Sequence, residues 1–188
     1  MDGHQNSRMN EKVILKKLKE GSREALGLLW QEHSAHVLNL AFRMLKDRDQ
    51  AEDILMDIFV QVPSAIQKFR GESAVNTWLY RLTVNACLMK LRADKRHGEL
   101  EEQHLDVITE EVLGKGDAPS DFDPELLQLG LMQLPAQTRG MLWLKDAEDL
   151  DVMDLVDIYQ IPEGTIKARL SRARHFVKDY IKEKLNHG

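Results

Sequence analysis

One stretch, Asp151–Lys178, constrains the fold more than any other, because its apolar residues follow helical spacing on both sides of a single break. The first apolar face comprises Val152, Leu155, Val156, Ile158 and Tyr159. Pro162 interrupts the pattern, because proline disfavours helical geometry at Ile161 and has no backbone N–H to donate. The second face comprises Ile166, Leu170, Ala173 and Phe176. The stretch therefore predicts a helix-turn-helix, a motif whose second helix can lie in the major groove of DNA.

The charge distribution favours the same interpretation. Residues 136–163 contain two bases and seven acids, a net charge of −5, whereas residues 164–188 contain seven bases and two acids, a net charge of +5. The whole chain has a net charge of −5, but phosphate affinity needs only a local basic cluster. The alternative is a solvated amphipathic helix that packs on a partner. The preceding helix and turn favour DNA binding over that alternative.

Composition limits the fold class. The chain has 188 residues, 43% of them hydrophobic, and its five prolines and lack of alternating polar and apolar runs predict an all-α protein. No apolar run approaches the roughly 18 residues of a membrane span, so no membrane insertion is expected. The single cysteine, Cys87, excludes an internal disulfide, and its apolar neighbours predict a buried thiol in a reducing cytoplasm.

The N-terminal half is predicted to be a series of helices. We expect them at residues 11–19, 23–31, 35–45, 50–62 and 75–92, with Pro63 ending or kinking the fourth. The fourth helix has apolar residues at spacings of three and four, which predicts a buried stripe. That stripe comprises Ala51, Ile54, Leu55, Ile58, Phe59 and Val62.

A second basic zone lies at residues 66–98, with seven bases and two acids, a net charge of +5. Its aromatic residues, Phe69, Trp78 and Tyr80, alternate with the bases, and Gly71 permits a left-handed turn. Rings and cations beside a loop suit single-stranded nucleic acid, whose bases stack on aromatic side chains. The alternative is that Trp78 belongs to the core and the bases are surface. We expect a core Trp78 and a contact surface on the loop Phe69–Thr77.

A composition change separates the two basic zones. Residues 99–134 contain ten acids and one base, together with glycines and prolines, which is typical of a linker. The predicted fold is thus two small helical domains joined by an acidic flexible linker. The predicted domains are 1–98 and 125–188, the second a helix-turn-helix, with the linker at 99–124.

Metal-dependent chemistry has little support in the sequence. His33 and His36 follow Glu32 at a spacing that could chelate a metal, as in a helical hydrolase, but no further ligand accompanies them. A surface pair is the favoured interpretation. We therefore expect no catalytic residue, no metal and no cofactor.

Four segments in order resemble the extracytoplasmic-function (ECF) sigma factors of bacterial RNA polymerase, over nearly the whole chain after residue 10. They are AEDILMDIF (51–59), FRGESAVNTWLYRLTVNA (69–86), Leu134-Pro135 with Arg139, and IPEGTIKARLSRAR (161–174). The resemblance implies a transcription initiation factor rather than an enzyme. It also implies three partners: core RNA polymerase, promoter DNA and an anti-sigma factor.

The resemblance implies residue roles as well. The polymerase-binding residues would be Asp53, Met56 and Asp57, with Met56 where glutamine is usual. The −10 promoter element would be bound by Phe69, Arg70, Ser73, Asn76, Trp78 and Asn85. The −35 element would be bound by Thr165, Lys167, Arg169, Ser171, Arg172 and Arg174. Gln160 stands in the turn where glycine is usual.

A stand-alone helix-turn-helix regulator remains the alternative. Such a protein would bind DNA without polymerase, and it would have no use for the second basic zone.

Overall fold

The computed structural model describes residues 12–96 and 124–186, and within them every regular element is helical. The N-terminal part consists of α1 (residues 12–19), α2 (Arg23–Leu45), α3 (Arg48–Ala65), a 3₁₀ turn (Ile66–Lys68) and α4 (Val75–Arg96). The C-terminal part consists of α5 (Pro124–Met132), α6 (Ala136–Asp146), α7 (Val152–Tyr159) and α8 (Glu163–Asn186). The all-α prediction is confirmed. The linker predicted at 99–124 lies outside the described residues except for Pro124.

The helix α2 is one continuous element, so the prediction of two helices at 23–31 and 35–45 was wrong. Residues 32–34 contain neither glycine nor proline, and the buried stripe runs through them from Leu29 to Val37 without a change of face. The ends match the sequence signals better. Ser22 caps the N-terminus by accepting a hydrogen bond from the Ala25 amide, after Gly21 adopts a φ of 83°.

The helix α3 continues past Pro63 to Ala65, so the predicted end at residue 62 was also wrong. A proline inside a helix removes one backbone hydrogen bond, but here only the last turn is affected. Asp47 is the N-cap and accepts a hydrogen bond from the Gln50 amide. The six residues of the predicted stripe are the six buried residues of α3.

The turn between α7 and α8 forms as the sequence predicted, and it contains a left-handed residue. Asp151 and Asp154 cap α7 reciprocally, each accepting a hydrogen bond from the other's backbone amide. Gln160 then adopts a φ of 55°, and its side-chain amide donates to the Asp157 carbonyl at 2.6 Å. This hydrogen bond offsets part of the cost of the left-handed conformation, which a glycine would adopt freely. On α8 the buried face includes Val177, whereas the predicted Phe176 is only half-buried.

The two described parts share one continuous apolar core. Helix α2 packs against α3 and α4 in its own half and against α6 of the other half, and α4 packs against α7. Gly140 allows the close approach of α6 to α2, because a Cβ there would lie 2.8 Å from Met44 Cγ. The halves therefore meet through side-chain packing as well as polar contacts.

A buried arginine, Arg139, joins the ends of two helices across this junction. Its guanidinium donates to the carbonyls of Arg43 and Met44 at the end of α2, the latter at 2.8 Å. It also donates to the carbonyl of Met132, the last residue of α5, at 3.4 Å and to the carbonyl of Leu134, just after that helix, at 2.6 Å. Each helix C-terminus carries roughly half a negative charge, so two of them together balance one cation. This balance explains an arginine that is only 5% exposed and contacts carbonyl oxygens in place of a carboxylate. Burial lowers the pKa of Arg139 to about 10.

Candidate nucleic-acid and polymerase interfaces

The predicted −35 residues lie on α8, outside its buried stripe. Lys167 and Arg174 are exposed, and Thr165, Arg169, Ser171 and Arg172 are half-buried. Several are held by neighbours: Lys167 pairs with Glu163 at 2.5 Å, and Arg174 pairs with Asp146 at 2.6 Å. Arg169 donates to the Gln137 side chain at 3.0 Å. Because α8 packs on α5, α6 and α7, the helix-turn-helix presents these side chains at its periphery.

The predicted −10 residues fall into two groups. Phe69, Arg70, Ser73 and Trp78 line one cavity of about 800 Å³ beside the loop after α3. The exposed Asn85 and the half-buried Asn76 are on α4, outside that lining. Seven residues separate Trp78 from Asn85, which places Asn85 about 10 Å further along the helix.

The two aromatic rings of this site form its floor rather than its surface. Phe69 is 7% exposed and Trp78 is 3% exposed, and their ring centroids are 5.2 Å apart. The core position expected for Trp78 is confirmed. The Phe69 carbonyl accepts a hydrogen bond from Lys19 Nζ at 2.8 Å, which ties the loop to the end of α1. Gly71 has a φ of 75° with open space around it, so the loop turns sharply and leaves Arg70 82% exposed on its side chain.

The predicted polymerase-binding residues share the exposed face of α3, opposite its buried stripe. Asp53, Met56 and Asp57 are all exposed. The same face includes Val60, which is 75% exposed and which the sequence interpretation missed. Its position one turn after Met56 and outside the buried stripe is the signal that identifies it. The resulting ridge, Asp53, Met56, Asp57 and Val60, combines acidic and apolar surface.

Two titratable residues outside these surfaces, Cys87 and His36, have structural contacts. Cys87 is fully buried, as predicted, and burial raises its pKa to about 12. His36 contacts Glu148 at 2.8 Å across the two halves.

No cluster of three or more metal-ligating side chains occurs within residues 12–96 and 124–186. In the same residues, no helix has the length and apolarity needed to cross a bilayer.

Comparison with known proteins identifies the family. The family model described as "Sigma-70 region 2" matches residues 29–97 of this chain. The ECF RNA polymerase sigma factor SigM of Mycobacterium tuberculosis strain H37Rv is 30% identical over 155 residues, covering 82% of this chain and 76% of the relative. The RNA polymerase sigma-H factor of Pseudomonas aeruginosa is 29% identical over 180 residues, covering 89% and 91%.

Solved structures with low sequence identity share the fold. The sigma factor RpoE, solved in complex with the anti-sigma factor NepR from Bartonella quintana, superposes with a TM-score of 0.64 at 22% identity, covering 83% of this chain and 96% of that one. CnrH, solved in complex with the cytosolic domain of CnrY, has a TM-score of 0.65 at 14% identity, covering 92% and 97%. The resemblance inferred from four sequence segments is therefore confirmed. The chain belongs to the ECF sigma factors of bacterial RNA polymerase, and its function is to direct promoter recognition in transcription initiation.

Proposed function

We propose that three separate surfaces of this chain divide the work of initiation in the cytoplasm, without catalysis by the chain itself. The ridge on α3 binds core polymerase, and α8 binds the −35 element. The segment Phe69–Thr77, which is the loop before α4 and the first residues of α4, binds the −10 element together with Asn85. The supporting observation is that each surface keeps exposed polar or charged residues, although the apolar faces of the same helices are buried in one core. A stand-alone regulator has no need for the acidic and apolar ridge of α3.

Helical geometry separates the base-reading from the phosphate-binding residues of α8. At roughly 100° per residue, Ser171 and Arg172 lie nearest the direction opposite the buried stripe, together with Ala168. Lys167 and Arg169 lie on opposite edges of the stripe. Each can therefore reach one of the two phosphate backbones that flank the major groove of DNA. We assign the central residues to base edges and the flanking cations to phosphates.

The loop site suits an unstacked base. The buried Phe69 and Trp78 rings stiffen the cavity floor, while Arg70 supplies an exposed cation for the strand's backbone. Asn85, further along α4, presents an amide that can form paired hydrogen bonds with a base edge. Flipping a base costs a few kcal/mol, which contacts in this cavity must offset.

The α3 ridge suits a basic and partly apolar partner surface. Asp53 and Asp57 supply the negative charge, and Met56 and Val60 supply apolar area at the centre. An anti-sigma factor is the further partner that we propose for this chain, since the fold matches that of a sigma factor solved with one.

The experiment is a comparison of two α8 variants in a duplex-binding titration with the full chain. Lys167→Ala should weaken binding to all sequences and reduce the slope of log affinity against log salt by about one. Arg172→Ala should instead cost about 1–3 kcal/mol on the preferred sequence and relax the preference at one position. Equal effects of both variants on every sequence would contradict the assignment.

Polymerase binding needs its own test. Asp57→Lys should abolish co-purification with core polymerase while leaving duplex binding unchanged, because the ridge and α8 belong to different halves. The matched control is Asp49→Lys, in the first turn of the same helix. Retained polymerase binding by Asp57→Lys would remove the ridge from the interface.

A further inference from the structure

Helix α1 has a stripe of lysines that belongs to none of the three proposed surfaces. Residues 12–19 contain four lysines and no acid, a net charge of +4, and they precede the region that the family model matches. All four lysines are exposed. Three of them, Lys12, Lys16 and Lys19, recur at intervals of four and three residues, so they share one side of the helix. Like charges four residues apart repel each other, so this stripe costs stability that a solvated face of mixed charge would not.

Contacts at the end of α1 hold this stripe beside the loop that follows α3. Lys19 Nζ donates to the Phe69 carbonyl at 2.8 Å, and the Gln67 side-chain amide donates to the Lys19 carbonyl at 3.0 Å. Leu18, which is 3% exposed, anchors the same turn of α1 in the core. The stripe therefore ends at the loop, and the rest of it extends away from the loop along α1.

The stripe continues the cations of the proposed −10 site. Lys68 and Arg70 line the cavity that is proposed to take the unstacked base. The lysines of α1 follow, separated from one another by axial steps of about 4.5 Å and 6 Å. Cations at successive turns beside a pocket for a base form a track of the kind that follows the sugar–phosphate backbone of a single strand.

We infer that α1 is a further part of the −10 interface, in which Lys12 and Lys16 bind backbone phosphates of the single-stranded DNA next to the base captured by the loop. Lys19 joins the stripe to the loop, because its ammonium has further N–H donors besides the one bonded to the Phe69 carbonyl. The inference rests on the proposed function of the loop and extends that site to a further helix. Phosphate contacts carry no base preference, so α1 adds affinity and leaves the choice of sequence to the loop and Asn85.

Two neighbouring lysines provide a matched comparison. Lys16 belongs to the stripe, whereas Lys17, which is also exposed, is rotated by about 100° to another side of α1. Lys16→Gln and Lys17→Gln therefore remove the same charge from adjacent positions, and glutamine has nearly the helix propensity of lysine. The double variant Lys12→Gln/Lys16→Gln removes both of the inferred phosphate contacts.

The measurement is the fluorescence anisotropy of labelled single-stranded DNA, titrated with the complex of the full chain and core polymerase. Core polymerase alone gives the background. One strand of randomised sequence has about 5 nucleotides and fills the loop site, and a second has about 12 nucleotides and also reaches along α1. Each titration is repeated at several salt concentrations, because the slope of log affinity against log salt counts the phosphates that are bound.

The expected losses are confined to the longer strand. Lys16→Gln should reduce its salt slope by about 0.7 and Lys12→Gln/Lys16→Gln by about 1.4, since each phosphate contact on a single strand contributes about 0.7. At 0.1 M salt, a slope change of 0.7 corresponds to about fivefold weaker binding. The shorter strand should bind these variants and the unmodified chain equally. Lys17→Gln should change the affinity of either strand by less than about twofold.

Two results would overturn the inference. Equal losses in Lys16→Gln and Lys17→Gln would show that α1 acts only through its net charge. An unchanged salt slope in Lys12→Gln/Lys16→Gln would show that the stripe does not bind the strand, and it would leave an acidic protein surface or an anionic membrane as its partner. A failure of the proposed loop function would look different, because Arg70→Ala would then leave the affinity for both strands unchanged. If only the inference fails, Arg70→Ala weakens the binding of both strands and the α1 variants weaken neither.

Discussion

Replacing Arg139 with methionine tests how the junction between the halves is stabilised. Methionine has a similar reach and fills the buried space, but it cannot donate to the carbonyls at the ends of α2 and α5. The change therefore separates the packing contribution of the side chain from its electrostatic contribution. The matched control is Arg48→Met on α3, where the arginine side chain is 73% exposed and pairs with Glu52.

The expected change in the free energy of unfolding is the balance of stabilising and destabilising contributions of Arg139. Arg139 makes three short hydrogen bonds and one of 3.4 Å, and a hydrogen bond from a charged donor contributes about 1.5–3 kcal/mol. Proximity to two helix C-termini adds about 0.3–1 kcal/mol each. Removing the buried cation recovers a desolvation penalty of several kcal/mol, so the terms partly cancel. We expect a net loss of about 3 kcal/mol in the free energy of unfolding.

Urea denaturation followed by circular dichroism measures this loss, and thermal melting should show a decrease in Tm of about 6–12 °C. Arg48→Met should change the free energy of unfolding by less than about 0.5 kcal/mol, because exposed ion pairs contribute little. A loss below about 1 kcal/mol for Arg139→Met would refute the argument that the two helix ends balance the buried charge.

The other predictions concern backbone fit and burial. Gly140→Ala should destabilise the chain by about 1–2 kcal/mol in thermal melts, because a Cβ 2.8 Å from the buried Met44 outweighs a gain in helix propensity of about 1 kcal/mol. Gly27→Ala should stabilise the chain by about 0.5–1 kcal/mol, because a Cβ there has no atom within 4 Å. If both substitutions changed the stability in the same direction, the close approach at Gly140 would not explain the difference. Gln160→Val should cost about 1–2 kcal/mol in urea denaturation, because a β-branched residue resists a φ of 55°; no loss would place the turn in another conformation. Cys87 should react with a thiol reagent at neutral pH only as the fold opens, because the thiol is buried and burial raises its pKa to about 12. Fast labelling of Cys87 without urea would contradict its burial.

Local periodicity made much of the fold predictable. The buried stripe of α3 and the turn before Pro162 each depend on residues close together in the chain, so the sequence pattern was sufficient to predict them. The two errors, a break in α2 and an early end of α3 at Pro63, concern boundaries, where tertiary packing overrides local preference. A half-buried His33 continues the stripe of α2, which a pattern of apolar residues alone does not reveal.

The arrangement of the halves was not predictable from the sequence, because its contacts join distant positions. Arg139 reaches the Met44 carbonyl across 95 residues, and Arg81 reaches Asp157 across 76. The sequence shows where basic and acidic residues cluster along the chain, but it does not show that Asp154 and Asp157 of α7 line the same cavity as Arg70 of the basic loop. For the candidate site, the sequence predicted residues of the loop and α8, and their roles stay predictions. Burial adds that the Phe69 and Trp78 rings are internal, whereas the Arg70 side chain is at the surface.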